Sequence, residues 1–539
     1  IMVKRVCVVG AGPSGLVSIK SCLENGLQPV CYEMTSNIGG LWNNDERVEK
    51  GLCPKAYKRL TTNICKEVSA YTDFPMPKNW PPFFNWKQYL EYFHSYTSHF
   101  KLREYIQFNV KVNSITESPS YDETGSWMVH IENLVTGQTS VTEFDAVMVA
   151  TGSQRKPNYP SYPGMNDVFQ GQTIHAGHYE SAEDFRGKSV VVVGGGPSGC
   201  DLAVDCSTFS ENVFLSSRSG FYIIPRVLTG GLPLLMSSLT SRFQMMIQRW
   251  MPSWLVGKMF LNMIEERINH TELGVKPKHN VESLLRRITI TDELPLLIYS
   301  GRVKTRPDIE KFGKNSVTFV DGRTSKADVV VLGTGYRPSY DFLSPRIIPE
   351  KLEDVRLYEW IFPFNLKHPS TLSFIGLVLE DTGAANSSAD LQSRFVAKVL
   401  SGKMKLDSVD QMKRDWNNER QAMLSATGGI FVPRGPLNVY QEQLARKMGV
   451  LPSFLRLIFT DPRLAFNFYF GPILPYHYRI VGDNSKPECR EYALNAVSNI
   501  WNGLKLRRLS TASTSITQLV KYGQFLLAMT NSRSYVVYI

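Results

Sequence analysis

Two hexapeptides with one spacing dominate the chemistry this chain can do: Gly10-Ala11-Gly12-Pro13-Ser14-Gly15 and Gly194-Gly195-Gly196-Pro197-Ser198-Gly199. Each follows an apolar, β-branched run (Val3 to Val9; Val190 to Val193) and precedes a helix-compatible stretch, with Cys200 opening the second. Between strand and helix this spacing builds a phosphate cradle. The first glycine permits the tight turn, the second lets the backbone approach a pyrophosphate, and the third lets the helix pack closely on the strand. The helix start then presents oriented N–H groups and a partial positive charge to the phosphates. The residues that end the next strand separate the two sites. Gln28 to Glu33 ends in an acid eighteen positions beyond Gly15, where a carboxylate accepts ribose hydroxyls. Val213 to Ser217 runs instead into Arg218, nineteen positions beyond Gly199, where a guanidinium pairs with a 2′-phosphate. The first site therefore reads as FAD or NAD and the second as NADP.

The elements needed to position these loops are parallel strands alternating with helices, hence an α/β protein with two Rossmann-like domains. Two further apolar strands, Phe144 to Gly152 and Ala327 to Tyr336, each close in Thr-Gly. The 539 residues exceed one ordinary core. A hydrophobic fraction of 43% with 20% charged residues excludes wholesale disorder, collagen and coiled coil. A net charge of +11 asks for an anionic partner, which nucleotide phosphates and acidic lipid supply. No nucleic-acid motif accompanies it, so nucleic acid is not an expected partner. The eight cysteines contain no Cys-x-x-Cys pair and no zinc spacing. They read as reduced, mostly packed thiols, and no metal is expected. The N-terminal apolar run leads directly into a glycine loop and reads as a strand, not a secretory signal.

Residues 227–280 form an apolar and basic stretch. Met245, Met246, Trp250, Trp254, Met259 and Phe260 alternate there with Arg242, Arg249 and Lys258. That mixture suits a helix lying in a membrane interface, a substrate-tunnel cover being the alternative. Lys505, Arg507, Arg508 and Lys521 flank the last apolar run, Leu526 to Met529, and suit anionic headgroups. Nothing in the sequence provides about 20 uninterrupted apolar residues, so the expected attachment is monotopic.

Between the glycine loops, Phe169-Gln170-Gly171-Gln172-Thr173-Ile174-His175-Ala176-Gly177-His178-Tyr179 fits F-x-G-x-x-x-H-x-x-x-Y. Here the chain resembles the flavin-containing monooxygenases, specifically their animal, microsomal branch. Leu60-Thr61-Thr62-Asn63, Asp73-Phe74-Pro75-Met76-Pro77, Phe374-Ile375-Gly376-Leu377 and Pro475-Tyr476-His477-Tyr478-Arg479 follow in family order. Two departures stand out: Gly333 replaces the usual alanine of A-T-G-Y, and Thr530 to Ser534 interrupts the C-terminal apolar anchor.

The resemblance implies an NADP domain inserted in an FAD domain, with the Thr-Gly strands as the crossings. The expected parts are 1–158 and 327–450 for FAD and 159–226 and 281–326 for NADP. The insertion 227–280 and a C-terminal region 451–539 associate with membrane. The pair Gly39-Gly40 with Leu41 and Trp42 resembles the second glycine signature of such enzymes. The implied cycle uses NADPH to reduce FAD and O2 to form a C4a-hydroperoxyflavin. One oxygen then passes to a soft amine nitrogen or sulfide of a small lipophilic molecule. The cofactor carries that chemistry, in keeping with the lack of a triad, paired carboxylates or metal box. Asn63 is the expected catalytic residue, its amide donating to the peroxy group and steadying NADP; capping a helix through Lys66 is the structural alternative. Thr62 is expected at NADP, Ile64 at the flavin, and Pro197 to Cys200 at the NADP pyrophosphate. His175 and Tyr179 are expected to fix the interdomain linker. The expected location is the cytosolic face of the endoplasmic reticulum membrane, as a monomer or homo-oligomer. Baeyer–Villiger oxidation of ketones, or NADPH oxidase activity releasing H2O2, is the alternative reaction. A flavin disulfide reductase is disfavoured for want of a cysteine pair.

Overall fold

A computed structural model describes residues 4–44, 55–228, 230–277, 288–337, 339–349, 354–377, 385–426 and 437–504. The basic and apolar C-terminal residues from Lys505 onward lie outside them. Two five-stranded sheets dominate, and every pairing within them is parallel. The first has the order Leu372–Phe374, Ala146–Val149, Arg5–Val9, Gln28–Glu33, Ile106–Phe108. The second has the order Val303–Arg306, Asn212–Ser216, Ser189–Val193, Val329–Leu332, Gln172–His175. In each, the strand that feeds a glycine loop is central. Covered on both faces, such strands need continuous apolar runs in place of alternation, and Val190 to Val193 and Val329 to Leu332 are buried throughout.

Helix Pro13–Glu24 follows the first loop and helix Pro197–Cys206 the second, each with proline in its first turn. Proline is tolerated there because its missing N–H would have no intrahelical partner. Helix Pro13–Glu24 packs along Ala385–Leu400, which closes the core of the first sheet around Val6, Val8, Leu16 and Ile19.

The chain leaves the first sheet after Val149 and returns to it at Leu372. On the way out and back it passes through a short antiparallel pair, Lys156–Pro157 with Tyr336–Arg337. One expected boundary is displaced. The expected second part of the FAD unit begins at 327, yet Val329–Leu332 pairs with Ser189–Val193 and with Gln172–His175. An apolar strand carries no label of which parallel sheet it joins, so only the pairing decides.

The segment 227–280 contributes two helices, Arg242–Trp250 and Ser253–Glu265. Helix Arg242–Trp250 packs against Pro462–Phe470, which packs against Phe454–Thr460. Among the described residues no helix is long and apolar enough to cross a membrane.

Candidate functional site

Gly10 and Gly194 take φ of +98° and +121°, left-handed values that a side chain would strain. The third glycine of each loop is fixed by space. A Cβ on Gly15 would lie 1.8 Å from the Gly10 carbonyl oxygen, and one on Gly199 would lie 2.0 Å from that of Gly194. Gly12 stays close to Gly40, their separation being 3.6 Å from the would-be Cβ to the Gly40 Cα. The second glycine signature is thus folded against the first: the Gly39 N–H donates to the Ala11 carbonyl at 3.1 Å, and Gly40–Trp42 forms one turn of 3-10 helix. Trp42 packs its ring on Tyr89, centroids 4.4 Å apart, while the Leu41 carbonyl accepts from the Ala56 N–H. Ser14 faces Gly376, whose would-be Cβ would meet its Oγ at 2.3 Å.

Glu33 sits at the end of its strand, buried, with one oxygen accepting from the Ala11 N–H at 2.7 Å and the other from the Thr35 N–H at 2.9 Å. Burial raises its pKa above the ordinary carboxylate value, and those N–H groups offset only part of the rise. The carboxylate is held against the first glycine loop, as a ribose-binding acid requires. These observations fit a dinucleotide: a loop cleared of side chains, unpaired helix-start N–H groups, and a fixed acid.

At the second loop, Pro197 and Ser198 are exposed and Gly196 has nothing within 4 Å of its would-be Cβ. Cys200 differs from its expected role at the pyrophosphate. Its thiol is fully buried against the Gly195 carbonyl at 3.6 Å, and its N–H is taken by the Gly196 carbonyl at 3.0 Å. It is the first residue with a partner one helical turn back, so the N–H groups left for an anion are those of Ser198 and Gly199. Burial holds the thiol well above its ordinary pKa. The Gly333 departure has a steric cause: a Cβ there would lie 2.7 Å from the Gly199 Cα. Arg218 is exposed in the turn that follows Asn212–Ser216.

Asn63 lies outside helix Lys66–Ser69, whose N-cap is Cys65, so the capping alternative falls away. Its Oδ1 accepts from Arg226 Nη2 at 2.7 Å. A guanidinium only donates, so this bond fixes the amide orientation and turns Nδ2, a donor, the other way. Arg226 is itself held by Asp292, at 3.1 Å through Nη1 and at 3.0 Å through its own backbone N–H. Asp201, on the helix after the second loop, lies 3.8 Å from Nη2. Thr62 is buried, its hydroxyl accepting from the Phe84 N–H at 3.2 Å. Ile64 packs on the core of the first sheet.

The segment before Asn63 is strapped to the second sheet's helices and loops. Lys55 and Lys58 donate backbone N–H bonds to the carbonyls of Gly177 and Glu180. Arg59 pairs with Asp205 at 3.3 Å, and Tyr57 packs edge-on to Tyr179. Cys65 and Val68, just after Asn63, belong to the first sheet's core. Asn63 therefore sits where the two units meet. His175 is satisfied on both nitrogens, Nε2 against the Gly335 carbonyl and Nδ1 accepting from the Gly177 N–H, each at 3.1 Å. Burial lowers its pKa, and the neutral ring ties the edge strand to the returning crossing. Tyr179 donates to Asp205 at 2.6 Å. No local spacing announces Arg226, Asp201 and Asp292: the bonds of Arg226 to Asp292 and to Asn63 span 66 and 163 residues, and Asp201 meets it from a separate helix. No group of three or more His, Cys, Asp or Glu side chains among the described residues could hold a metal.

Two glycine cradles on two parallel sheets, with a polar segment clamped between them, define a two-nucleotide oxidoreductase. Residues 3–532 match the model of the flavin-binding monooxygenase-like family, and the chain belongs to it. It is 37% identical to flavin-containing monooxygenase 3 from Macaca mulatta, over 93% of this chain and 92% of that one. It is 36% identical to flavin-containing monooxygenase 5 from Oryctolagus cuniculus, over 99% of each. Among solved structures, the S-allyl-L-cysteine S-oxygenase from Allium sativum shares the fold, with a TM-score of 0.62 at 21% identity over 92% of this chain and 99% of that one. The protein is accordingly a flavin monooxygenase, and membership brings FAD and NADPH as cofactors and O2 as co-substrate.

Proposed function

We propose that this monooxygenase transfers one oxygen atom to a soft nitrogen or sulfur of small lipophilic molecules. In this reading FAD lies on Gly10 to Gly15 with Glu33 on its ribose and Gly40, Leu41 and Trp42 alongside. NADPH lies on Gly194 to Gly199 with Arg218 at its 2′-phosphate. Flavin, once reduced and bound, supplies the oxygen chemistry. The chain binds, orients and excludes water. The observation that carries the reading is the Asn63–Arg226 bond, which leaves the Asn63 amide as a fixed donor at the junction of the two nucleotide units. A donor prepositioned for developing negative charge needs no reorganisation during reaction. No base is required of the protein to activate the acceptor atom, because that atom is already nucleophilic.

The test is product accounting. Purified, flavin-loaded protein is supplied with NADPH, O2 and either a thioether, a tertiary amine or a cyclic ketone. Stoichiometric sulfoxide or N-oxide with little H2O2 is the expected result. Lactone as the main product identifies a Baeyer–Villiger enzyme, and H2O2 without product identifies an oxidase; either overturns the proposal.

The same reading places the enzyme on the cytosolic face of the endoplasmic reticulum membrane, lying on it. Helices Arg242–Trp250, Ser253–Glu265 and Phe454–Thr460 expose Trp250 at 84%, Trp254 at 64%, Leu455 at 70% and Phe459 at 86%. Arg249, Lys258, Arg456 and Arg463 are exposed on the same helices or the adjoining Pro462–Phe470. Exposed aromatics ringed by cations suit the headgroup boundary of an anionic bilayer.

A further inference from the structure

Monooxygenation carries a proton requirement that the cradles do not meet. The balance is NADPH + H+ + O2 + S → NADP+ + SO + H2O, where S is the acceptor molecule. One hydride reduces the flavin, one oxygen atom goes to S, and the other leaves as water. Each turnover therefore takes one proton from solvent and returns one water, neither of which travels well along an apolar route.

A polar cavity of about 430 Å3 lies between the segment Tyr57 to Thr61, helix Pro197–Cys206 and helix Glu293–Tyr299. Of its lining side chains only Val204 and Leu297 are aliphatic. Its lining includes Asp201 and Arg226, both largely buried, with Arg226 one hydrogen bond from Asn63, and the exposed Arg59, Thr208 and Glu293, which open it to solvent. We infer that this cavity is the proton and water route of the reaction, with Asp201 as its inner proton-holding residue and Arg226 as the positioning residue between Asp201 and Asn63.

The other charged groups around Asp201 leave it the carboxyl best placed for this. Asp205, on the same helix, is occupied by Tyr179 and Arg59. Asp292 is occupied by Arg226. Tyr57 and Arg59 face the cavity from the strapped segment, and Glu293 and Arg302 line its opposite side, both exposed to solvent where Asp201 is not. Asp201 is only 15% exposed, and its cation, Arg226, stands off at 3.8 Å. Burial raises its pKa, Arg226 lowers it and Glu293 raises it again, to about 7. A carboxyl so placed exchanges its proton near neutrality. The acid form is the donor, so turnover is fastest below that pKa and falls as pH rises through it.

The inference rests on Asn63 marking the reacting end of the site, and the experiment separates the two. Flavin-loaded wild type, Asp201→Asn and Asp201→Glu are compared. In resting enzyme without NADPH, infrared difference titration in D2O follows the carboxylic acid C=O band. A band titrating near neutrality in wild type and in Asp201→Glu, lost in Asp201→Asn, is expected. Turnover is then measured from pH 6 to 9 with a thioether, which does not itself ionise. Asp201→Asn is expected to lower kcat by about tenfold or more at pH 6, to flatten its pH dependence and to leave the KM for NADPH unchanged. A wild-type pH profile in Asp201→Asn overturns the proposal. So does a raised KM for NADPH with that profile intact, since Asp201 then only positions Arg226. If Asp201→Asn does not retain flavin, Val204→Trp takes its place, filling the cavity from its helix without removing a charge. A lower kcat with a larger solvent isotope effect supports the route, and unchanged kinetics overturn it. If Asn63→Asp proves silent while Asp201→Asn behaves as expected, the role of Asn63 falls and the proton route stands.

Discussion

Asn63 is a small polar residue whose amide orientation is set by one partner. The Arg226 bond engages its carbonyl oxygen, so Asn63→Asp keeps that acceptor, replaces the outward N–H donor with an oxygen and adds a negative charge. Loss of one prepositioned donor costs about 10²-fold in rate. Asn63→Asp is therefore expected to lower sulfoxide formation by about that factor while NADPH consumption continues as H2O2, read by product and peroxide assays side by side. Equal losses of both would point to a role in flavin reduction instead. Asn63 was legible in the sequence through the family order of Leu60 to Asn63. Arg226, Asp201 and Asp292 were not, because their common ground is a tertiary junction between a strap, a helix and a turn.

At the level of elements, the glycine loops are the parts most fully specified by local sequence. Gly15→Ala and Gly199→Ala each drive a methyl into a carbonyl oxygen 1.8 and 2.0 Å away. The two substitutions are expected to separate the nucleotides. Gly15→Ala gives protein purified without flavin absorbance. Gly199→Ala gives flavin-loaded protein that NADPH no longer reduces but dithionite still does. The boundary misplaced at Val329–Leu332 shows the opposite limit: strand identity was legible and sheet membership was not. Cys200 shows a finer one, since the fingerprint spacing fixes the turn but not which of the following N–H groups the helix already uses.

The whole molecule is held by a buried charge cluster that no single element contains. Arg479, fully buried, contacts Glu24 at 3.2 Å, Asp73 at 3.5 Å and Asp390 at 3.7 Å. Lys20 reaches Asp73 at 2.5 Å and Lys486 reaches it at 3.1 Å. The cluster joins the first helix, the Asp73 loop, helix Ala385–Leu400 and the 475–486 segment. Burial alone would raise the Asp73 pKa, but Arg479, Lys20 and Lys486 together hold it well below the ordinary carboxylate range. Its contribution to stability is present above its unfolded pKa of about 3.9 and is lost as pH falls below that value toward the folded one. Asp73→Asn removes the carboxylate that three cations share, leaving Arg479 and Lys20 with Glu24 and leaving Lys486 without an ion pair among the described residues; it is expected to cost about 3 kcal/mol, seen as a lower midpoint of thermal unfolding at pH 7 and a smaller difference from wild type below pH 4. Surface attachment belongs to this scale too. Trp250→Ser with Phe459→Ser is expected to reduce co-sedimentation with anionic phospholipid vesicles several-fold while oxygenation in detergent is unchanged. Full retention on vesicles would place the attachment elsewhere.

What the sequence determined by itself follows from rules that act within about twenty residues. Turn geometry needs glycine at set spacings, a buried parallel strand needs an unbroken apolar run, and an acid or a guanidinium at the next strand end selects the ribose. These are steric and electrostatic demands met by neighbours in the chain. The tertiary structure decided what depends on groups brought together across hundreds of residues. It chose the sheet for Val329–Leu332, turned the Asn63 amide through Arg226, and lowered a polar cavity onto Asp201. It also gathered Lys20, Asp73, Asp390 and Arg479 into one buried cluster. Burial and partner distance set the energy of each of these groups, and neither exists until the chain has folded.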